Sequence, residues 1–398
     1  MNTQIGIGSS NQTNSVLAGE HATSLALEDA PFSDPDFALV FCGGKHDPVK
    51  FLQGVNKLIP DVKKAGGSSF GIISGDFVGY DGFEVGVTLF KSSTMTFDIC
   101  AVGELNQDEY KTGRQLGTAL AKLCDGNEKG MLLFYDSSKQ QNPPMLNFVT
   151  PLFAGLSDFL PENLVCAGGG LLADMTLSTC YQIVNDQVLT QHAVAVLISG
   201  ECKVETSILH GCKPCSDYIT ITKVEGPVIL EIDDRPAIDV IDELLGKSLS
   251  PKEYAMNVTL GVNRGEKFDD FKESNYANRL TLAVDEETKS LIMFEPDLKV
   301  GDEVQLMRRD FDADYIGQVV QDLVERFEKS DIVSSFYINC GGRAKPFSGV
   351  NFEDALEVRG ALGSNVPFSG FYSGVEVAKV GDQIQPLDWT GVLVMIGE

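Results

Sequence analysis

The chain has 398 residues, of which 43% are hydrophobic and 23 are phenylalanine, the composition of a folded globular protein long enough for two domains. Its 57 acidic residues outnumber its 31 basic residues, and the formal net charge of −26 repels duplex nucleic acid and anionic membrane surfaces, so neither is an expected partner. No apolar run approaches the roughly 18 residues that span a bilayer, and the start of the chain lacks the basic and apolar regions of a secretory signal.

An internal repeat with three copies organises the chain. Each copy contains, in chain order, an apolar strand, a helix, a second strand entered through glycine, and a closing strand. In the first copy these elements lie at 37–42, 49–59, the glycine turn 65–68 and 83–90. The corresponding segments are 131–135, 145–156, 167–170 and 193–198 in the second copy, and 336–340, 351–362, 368–371 and 392–396 in the third.

The continuous apolar runs of these strands are typical of strands covered on both faces. Further helices are indicated near 116–123 and 316–327 by apolar residues on one face, and Pro236 and Gly246 bracket a short third one. The sequence therefore predicts an α/β fold of strand-helix-strand-strand units, forming stacked sheets covered by helices in two related halves. The least patterned junction, at 223–227, divides the chain into domains 1–225 and 226–398.

The segment Gly67-Ser68-Ser69-Phe70-Gly71 matches the G-x-S-x-G pattern, in which Ser69 is the nucleophile. That elbow needs a buried strand before the serine and a helix after it. Here a half-charged segment precedes Ser69, and a strand follows it. The pattern favours a strand-entry turn, with a serine-dependent enzyme as the alternative.

Cys212 and Cys215 form the C-x-x-C pair of the chain, a spacing found in redox couples and in half of a zinc site. A second pair that would complete a zinc site is missing, and residues 217–222 alternate like a strand rather than the helix of a thioredoxin-type couple. The nine cysteines are odd in number and spread singly, which predicts reduced thiols and a cytoplasmic location. Cys212 remains an alternative nucleophile.

Glycines at strand ends mark candidate ligand contacts, because they let a ligand approach the backbone and because pockets form at the strand ends of α/β sheets. His210, Gly211 and Cys212 form one such end, so we expect all three to contact a ligand. Gly168 and Gly169 provide an open backbone in the second copy of the repeat.

Two further strand ends carry polar residues. Asn339, Cys340 and Arg343 follow one buried strand, and Tyr372 and Glu376 follow another that the repeat places beside it. An arginine and a glutamate at adjoining strand ends can recognise a polar small molecule such as an amino acid. The alternative is a structural ion pair.

Several motifs in register resemble the FIST family, named for F-box and intracellular signal transduction. The segment Gly211-Cys212-Lys213-Pro214, followed by 219–223 and 230–237, resembles the G-C-x-P turn, strand and helix start of that family. Segments 300–306, 339–343 and 367–376 follow in the family's order. The resemblance covers the chain from about residue 37 to its end, and it departs from the family's G-E-I pattern at Val375, which displaces Glu376 by one residue.

The resemblance implies a signal-input module with an N-terminal and a C-terminal half, found with kinases, cyclases and chemotaxis domains in bacteria and with an F-box in eukaryotes. It implies binding of a small molecule, either an amino acid-like metabolite or haem, for which His210 or Cys212 would be the axial ligand. Since none of those output domains is expected in this chain, its partner would be a separate signalling protein such as a kinase or cyclase. An enzyme using Cys212 or Ser69, and an adaptor without a ligand, are the alternatives.

Overall fold

The structure is a computed structural model that describes residues 2–255, 257–310, 312–328 and 330–398. Three related units follow one another along the chain. The first contains β1 (Thr3–Ser10), α1 (Ser15–Asp29), β2 (Phe37–Gly43), α2 (Pro48–Asn56), β3 (Lys63–Ser69), β4 (Ile72–Ser74), β5 (Phe77–Gly79) and β6 (Val85–Ser92). The sequence predicted a glycine turn at 65–68, and this prediction was wrong because these residues lie within strand β3.

The second unit repeats this order. It contains β7 (Met95–Val102), α3 (Glu109–Leu120), β8 (Glu128–Asp136), the short strands β9 (Ser138–Gln140) and β10 (Met145–Leu146), α4 (Val149–Leu156), β11 (Val165–Leu171), β12 (Gln182–Val184), β13 (Gln187–Leu189) and β14 (Ala193–Gly200). The start of the helix predicted at 145–156 is therefore strand β10, because the helix begins only after Phe148.

The third unit begins with β15 (Lys203–Leu209) and is then interrupted by an insertion. The insertion contains β16 (Cys212–Pro214), β17 (Ile219–Glu225), β18 (Val228–Ile232), β19 (Arg235–Pro236), α5 (Ala237–Leu245), α6 (Pro251–Tyr254), β20 (Thr259–Asn263), β21 (Tyr276–Asp285), β22 (Ser290–Met293) and β23 (Glu303–Arg309). The unit resumes with α7 (Asp314–Glu325), β24 (Ile332–Cys340), α8 (Lys345–Ser348), α9 (Asp354–Leu362), β25 (Phe368–Ser373), β26 (Glu376–Val380), β27 (Gln383–Leu387) and β28 (Gly391–Gly397).

The three units exchange hairpins in a cycle. Their sheets have the orders β1-β6-β2-β3, β7-β14-β8-β11 and β15-β28-β24-β25, each with one parallel pair, β2–β3, β8–β11 or β24–β25. The last strand of each sheet is extended by a hairpin of another unit: β12–β13 pairs with β3, β26–β27 with β11, and β4–β5 with β25. The three units are therefore locked together by backbone hydrogen bonds.

One strand of each parallel pair, β3, β11 or β25, carries a glycine where the two strands approach closely. Gly66, Gly168 and Gly370 lie opposite Val40, Leu133 and Tyr337 on the neighbouring strand. A Cβ at any of the three glycines would overlap the carbonyl oxygen of its partner. Only glycine allows this approach of the two backbones.

Helices cover the outer faces of the three sheets, and the inner faces meet in a common core. The outer clusters combine α1 with α2, α3 with α4, and α7 with α9. One phenylalanine from each unit meets at the centre, where Phe41 stacks on Phe371 with ring centroids 4.5 Å apart and Phe134 lies edge-on to both. The predicted α/β fold of stacked sheets under helices is confirmed.

The insertion forms a sheet of its own. Strand β23 pairs with both β17 and β20, so that β23, β17, β18, β22, β21 and β20 form a closed ring of antiparallel strands. Leu260, Ile221 and Val304 are among its buried residues. Across the described part of the chain, no helix has both the length and the apolarity that crossing a bilayer requires.

Candidate functional site

A cavity of about 160 Å³ lies where the insertion meets the carboxyl ends of the parallel strands of the second and third units. Ligand sites of α/β sheets form at this end of the strands. Tyr135 and Cys340 are the strand-end residues, and the segments 341–342 and 373–375 continue the wall. The apolar remainder of the wall comprises Leu146, Leu172, Met175, Leu177, Leu280, Leu282 and Phe294, with Trp389 closing it.

Ser137, Asn147 and Asp388 are polar residues in this largely apolar wall. Ser137 and Asn147 are buried, and the Ser137 Oγ and Asn147 Oδ1 atoms have no hydrogen-bond partner in the described structure. Asp388 Oδ2 accepts a hydrogen bond from Leu280 N at 2.9 Å, and burial raises the pKa of this carboxyl to about 7. A buried polar atom without a partner costs roughly 1–3 kcal/mol, so hydrogen bonds to Ser137 Oγ and Asn147 Oδ1 would remove a cost of this size at each atom.

A second cavity of about 30 Å³ lies on the other side of Trp389. His210, Arg309, Tyr315, Arg343 and Asp354 are among its lining residues. The Arg309 guanidinium lies 3.3 Å from the centroid of the Trp389 ring, which is a cation–π contact. Trp389 therefore borders both cavities, and it is the one tryptophan of the chain.

His210 is buried and both of its ring nitrogens are engaged. Nδ1 accepts from Cys212 N at 3.0 Å, and Nε2 lies 3.2 Å from the carbonyl oxygen of Glu273, to which it donates. Burial lowers the pKa of the imidazole, which favours its neutral form. The backbone N–H of Gly211 donates to Glu273 Oε1 at 3.0 Å, so the loop at Glu273 holds this strand end.

Haem, which the resemblance implied, does not fit these residues. Neither nitrogen of His210 is left for an axial bond, and the adjacent cavity of about 30 Å³ is far smaller than a macrocycle of four pyrroles. The Cys212 thiol donates to the carbonyl oxygen of His210 within the protein. The geometry of His210 and Cys212 therefore gives no support to a haem ligand at either residue.

The two candidate nucleophiles are not activated. Burial raises the pKa of the Cys212 thiol to about 12, whereas a reactive cysteine needs a lowered pKa. Ser69 Oγ is buried and donates to the carbonyl oxygens of Gly71 and Tyr372 at 2.5 and 3.2 Å. A serine nucleophile needs a base as its partner instead, so the structure gives no support to the enzyme alternative.

Arg343 belongs to a buried network around Asp354. Its Nε and Nη2 atoms donate to Asp354 Oδ2 at 3.0 and 2.6 Å, and Asn339 Nδ2 donates to Asp354 Oδ1 at 2.7 Å. Arg343 also donates to the carbonyl oxygen of His210 at 2.9 Å. This is the structural ion pair named as the alternative, with Asp354 rather than Glu376 as the partner.

Tyr372, Glu376, Gly168 and Gly169 are not among the residues that line the larger cavity. Tyr372 donates its hydroxyl to Glu353 under the helices of the third unit. Glu376 is buried and accepts from Ser373 Oγ at 2.7 Å. Gly168 and Gly169 lie inside β11, where they pair with β8 and β26. Of these predicted residues Cys340 lines the larger cavity, and His210 and Arg343 line the smaller one.

The sequence interpretation missed the polar residues Ser137, Asn147 and Asp388. One signal could have found Ser137. The repeat aligns Leu133 with Tyr337, and the same alignment makes Ser137 equivalent to Gly341, which directly follows the strand end at Cys340. No comparable signal marks Asp388, which lies in the short link between β27 and β28.

Two family models match the chain: FIST N domain at residues 36–235 and FIST C domain at residues 237–379. The F-box in the expanded family name has no counterpart in these two matches, and that part of the expectation was wrong. The matches confirm the resemblance to the N-terminal and C-terminal FIST halves. The boundary between 225 and 226 remains a prediction.

Relatives in the curated proteins cover part of the chain. An uncharacterized protein of Mycobacterium tuberculosis strain H37Rv is 27% identical over 203 residues, which are 48% of this chain and 50% of that protein. An uncharacterized protein of Methanocaldococcus jannaschii is 25% identical over 194 residues, 44% of this chain and 35% of that protein. The chain thus spans about half the length, or less, of the curated relatives it matches.

Two solved structures are similar at low sequence identity. A chorismatase is 9% identical with a TM-score of 0.36, covering 92% of this chain and 94% of that chain. A cyanuric acid hydrolase is 6% identical with a TM-score of 0.35, covering all of both chains. At these TM-scores the likenesses say nothing about what this chain binds.

Proposed function

This chain belongs to the FIST family, whose domains are sensory signal-transduction domains, and from that premise we propose that it is a sensor whose small-molecule ligand occupies the cavity of about 160 Å³ beside Trp389. The observation that carries the proposal is the combination of an apolar wall with the unpartnered atoms Ser137 Oγ and Asn147 Oδ1. An engineered apolar cavity of about 150 Å³ binds benzene, so the cavity accepts a ligand with a body of that size.

The position of the cavity suits a sensor. Its wall combines Tyr135 and Leu172 of the N-terminal half with Leu280 and Cys340 of the C-terminal half. A ligand that contacts both halves stabilises the arrangement in which they meet, and binding then favours that arrangement over others. This is the differential affinity that a signalling module requires.

Fluorescence of Trp389 tests the proposal, because this single tryptophan borders the cavity. We expect toluene and small metabolites with an apolar body to change its emission and to raise the melting temperature, since occupancy at 100 times Kd contributes about 2.7 kcal/mol. Leu282→Phe, which fills the cavity, should abolish both effects, whereas Leu356→Phe on the exposed side of α9 should not. If no compound in a broad panel changes emission or melting, an adaptor without a ligand is the better interpretation.

The output of the sensor is proposed to act on a separate signalling protein, a kinase or a cyclase, in the cytoplasm. The sensory role of FIST domains supports this proposal. The test is the activity of a candidate kinase or cyclase mixed with the chain, with and without the compound that changes Trp389 emission. Activity that is the same in both mixtures contradicts the proposal for that partner.

A further inference from the structure

We infer that the ligand of the larger cavity carries a hydrogen-bond donor, an amine or a hydroxyl group, on a compact apolar body, and that anionic ligands are rejected. The inference rests on the proposed function, because it names the chemical class of the molecule that the cavity holds. Three steps carry it: the orientation of Asn147, the carboxylate of Asp388 and the charge of the wall.

The amide of Asn147 can be oriented from its hydrogen bonds. Its Nδ2 donates to the carbonyl oxygen of Asp136 at 2.8 Å and to Gln191 Oε1 at 3.0 Å. Gln191 is itself fixed, because its Nε2 donates to the carbonyl oxygen of Ser138 at 2.6 Å. Turning the Asn147 amide over would place its oxygen against two acceptors, so Oδ1 is the atom of this amide that is left without a partner, and it is an acceptor.

Asp388 adds a second acceptor to the same wall. Its Oδ2 accepts from Leu280 N at 2.9 Å. The nearby Arg279 does not neutralise it by a direct contact, because the Arg279 guanidinium donates to both carboxylate oxygens of Asp297 and to the carbonyl oxygens of Asn278 and Pro386. A charged donor on the ligand would therefore form a charge-assisted hydrogen bond at Asp388.

The charge of the wall disfavours anions. None of the described residues that line this cavity is lysine or arginine, whereas Asp388 is acidic. A ligand carboxylate or phosphate would lie beside Asp388 and Asn147 Oδ1 without a cation to balance it. The net charge of −26 acts in the same direction, because it attracts cations and repels anions.

A matched set of ligands tests the inference: toluene, benzylamine, benzyl alcohol and benzoate share one aromatic ring and differ in the polar group. Titration of Trp389 emission in the full chain at pH 7.5 should give a Kd for benzylamine at least about tenfold lower than for toluene, with benzyl alcohol between them. Benzoate should bind more weakly than toluene. Benzoate binding as tightly as benzylamine, while toluene also binds, overturns this inference alone; failure of all four compounds overturns the proposed function.

Asp388→Asn gives the test at the residue level. The amide oxygen of the new asparagine can keep the hydrogen bond from Leu280 N. Its amide nitrogen is a donor and takes the place of the second carboxylate oxygen, which is an acceptor. We expect at least a tenfold loss of benzylamine affinity, unchanged toluene affinity and a gain for benzoate; the exposed Asp382→Asn is the control. Ser137→Ala, which removes a hydroxyl without a partner, gives a second measurement should Asp388→Asn not fold, and it should weaken benzyl alcohol more than toluene. Equal loss for every ligand contradicts the inference.

Discussion

At the scale of single residues, Arg343 and Asp354 form the most buried ion pair of the site, with side chains 6% and 4% exposed. Removing one partner leaves the other charged group buried, so we expect Arg343→Leu to lower the free energy of unfolding by about 3–5 kcal/mol in urea denaturation. Lys57→Ala, which breaks the exposed pair with Glu20, should cost less than about 1 kcal/mol. Equal effects of the two substitutions would contradict a structural role for Arg343.

Glu295 is a buried carboxyl at the start of α4, where it accepts from Val149 N and Thr150 N at 3.0 Å each. Burial raises its pKa to about 8 from the ordinary value of 4.5. The folded state thus binds a proton that the unfolded state has lost, and the stability from this group is present below about pH 4.5 and lost as the pH rises to about 8. Glu295 therefore contributes up to about 1.4 kcal/mol per pH unit to the pH dependence of the unfolding free energy.

We therefore expect Glu295→Gln to make unfolding free energies between pH 5 and 8 less dependent on pH than in the wild type. Urea denaturation at four pH values measures the slope, with the exposed Glu266→Gln as the control. A slope identical in Glu295→Gln and wild type would show that Glu295 titrates normally in the folded state.

At the scale of elements, glycine sets the distance between paired helices. In the first unit a Cβ at Gly54 of α2 would overlap the Val16 carbonyl oxygen of α1, and in the second unit a Cβ at Gly155 of α4 would overlap the Tyr110 carbonyl oxygen, in the first turn of α3. Gly360 of α9 has no atom within 4 Å of the same position. The third unit therefore lacks this close helix contact at Gly360.

Alanine substitutions should distinguish the close helix contacts at Gly54 and Gly155 from the open position at Gly360. Gly54→Ala and Gly155→Ala should each destabilise the protein by more than about 2 kcal/mol, because two backbones must move apart. Gly360→Ala should leave stability unchanged or raise it by up to about 1 kcal/mol, since alanine favours the helix. Melting temperatures of the three variants measure this, and a loss in Gly360→Ala as large as in Gly54→Ala would contradict the packing described.

At the scale of the whole molecule, the exchanged hairpins join the two halves. Strands β4–β5 of the first unit pair with β25, and β26–β27 of the third unit pair with β11. We expect one cooperative unfolding transition by calorimetry, and we expect fragments 1–225 and 226–398 to lack cooperative unfolding when each is expressed alone. Two separate transitions, or a fragment that melts like the corresponding part of the full chain, would contradict this.

The repeat and the α/β class could be predicted from the sequence, since both depend on local pattern. The apolar runs at 131–135 and 193–198 lie within β8 and β14, and Gly246 ends α5 in the left-handed conformation. The first strand and helix were missed. Strand β1 has two apolar side chains, Ile5 and Ile7, among glycine and polar residues, and the buried residues of α1 are small, Ala18, Ala22 and Ala26 among them, so neither gives a strong apolar signal.

The sequence by itself determined the family, the repeating units and the strand ends near which pockets form, because strand and helix periods and glycine positions are set by neighbours along the chain. The tertiary structure decided which strand ends share a cavity. Asp388 and Trp389 follow the exchanged hairpin β26–β27, which pairs with β11 of the second unit, and they line the same cavity as Asn147 of that unit. Arg343 was predicted beside Glu376 but pairs with Asp354, because hydrogen bonding in a buried site depends on distances in space that spacing along the chain does not fix.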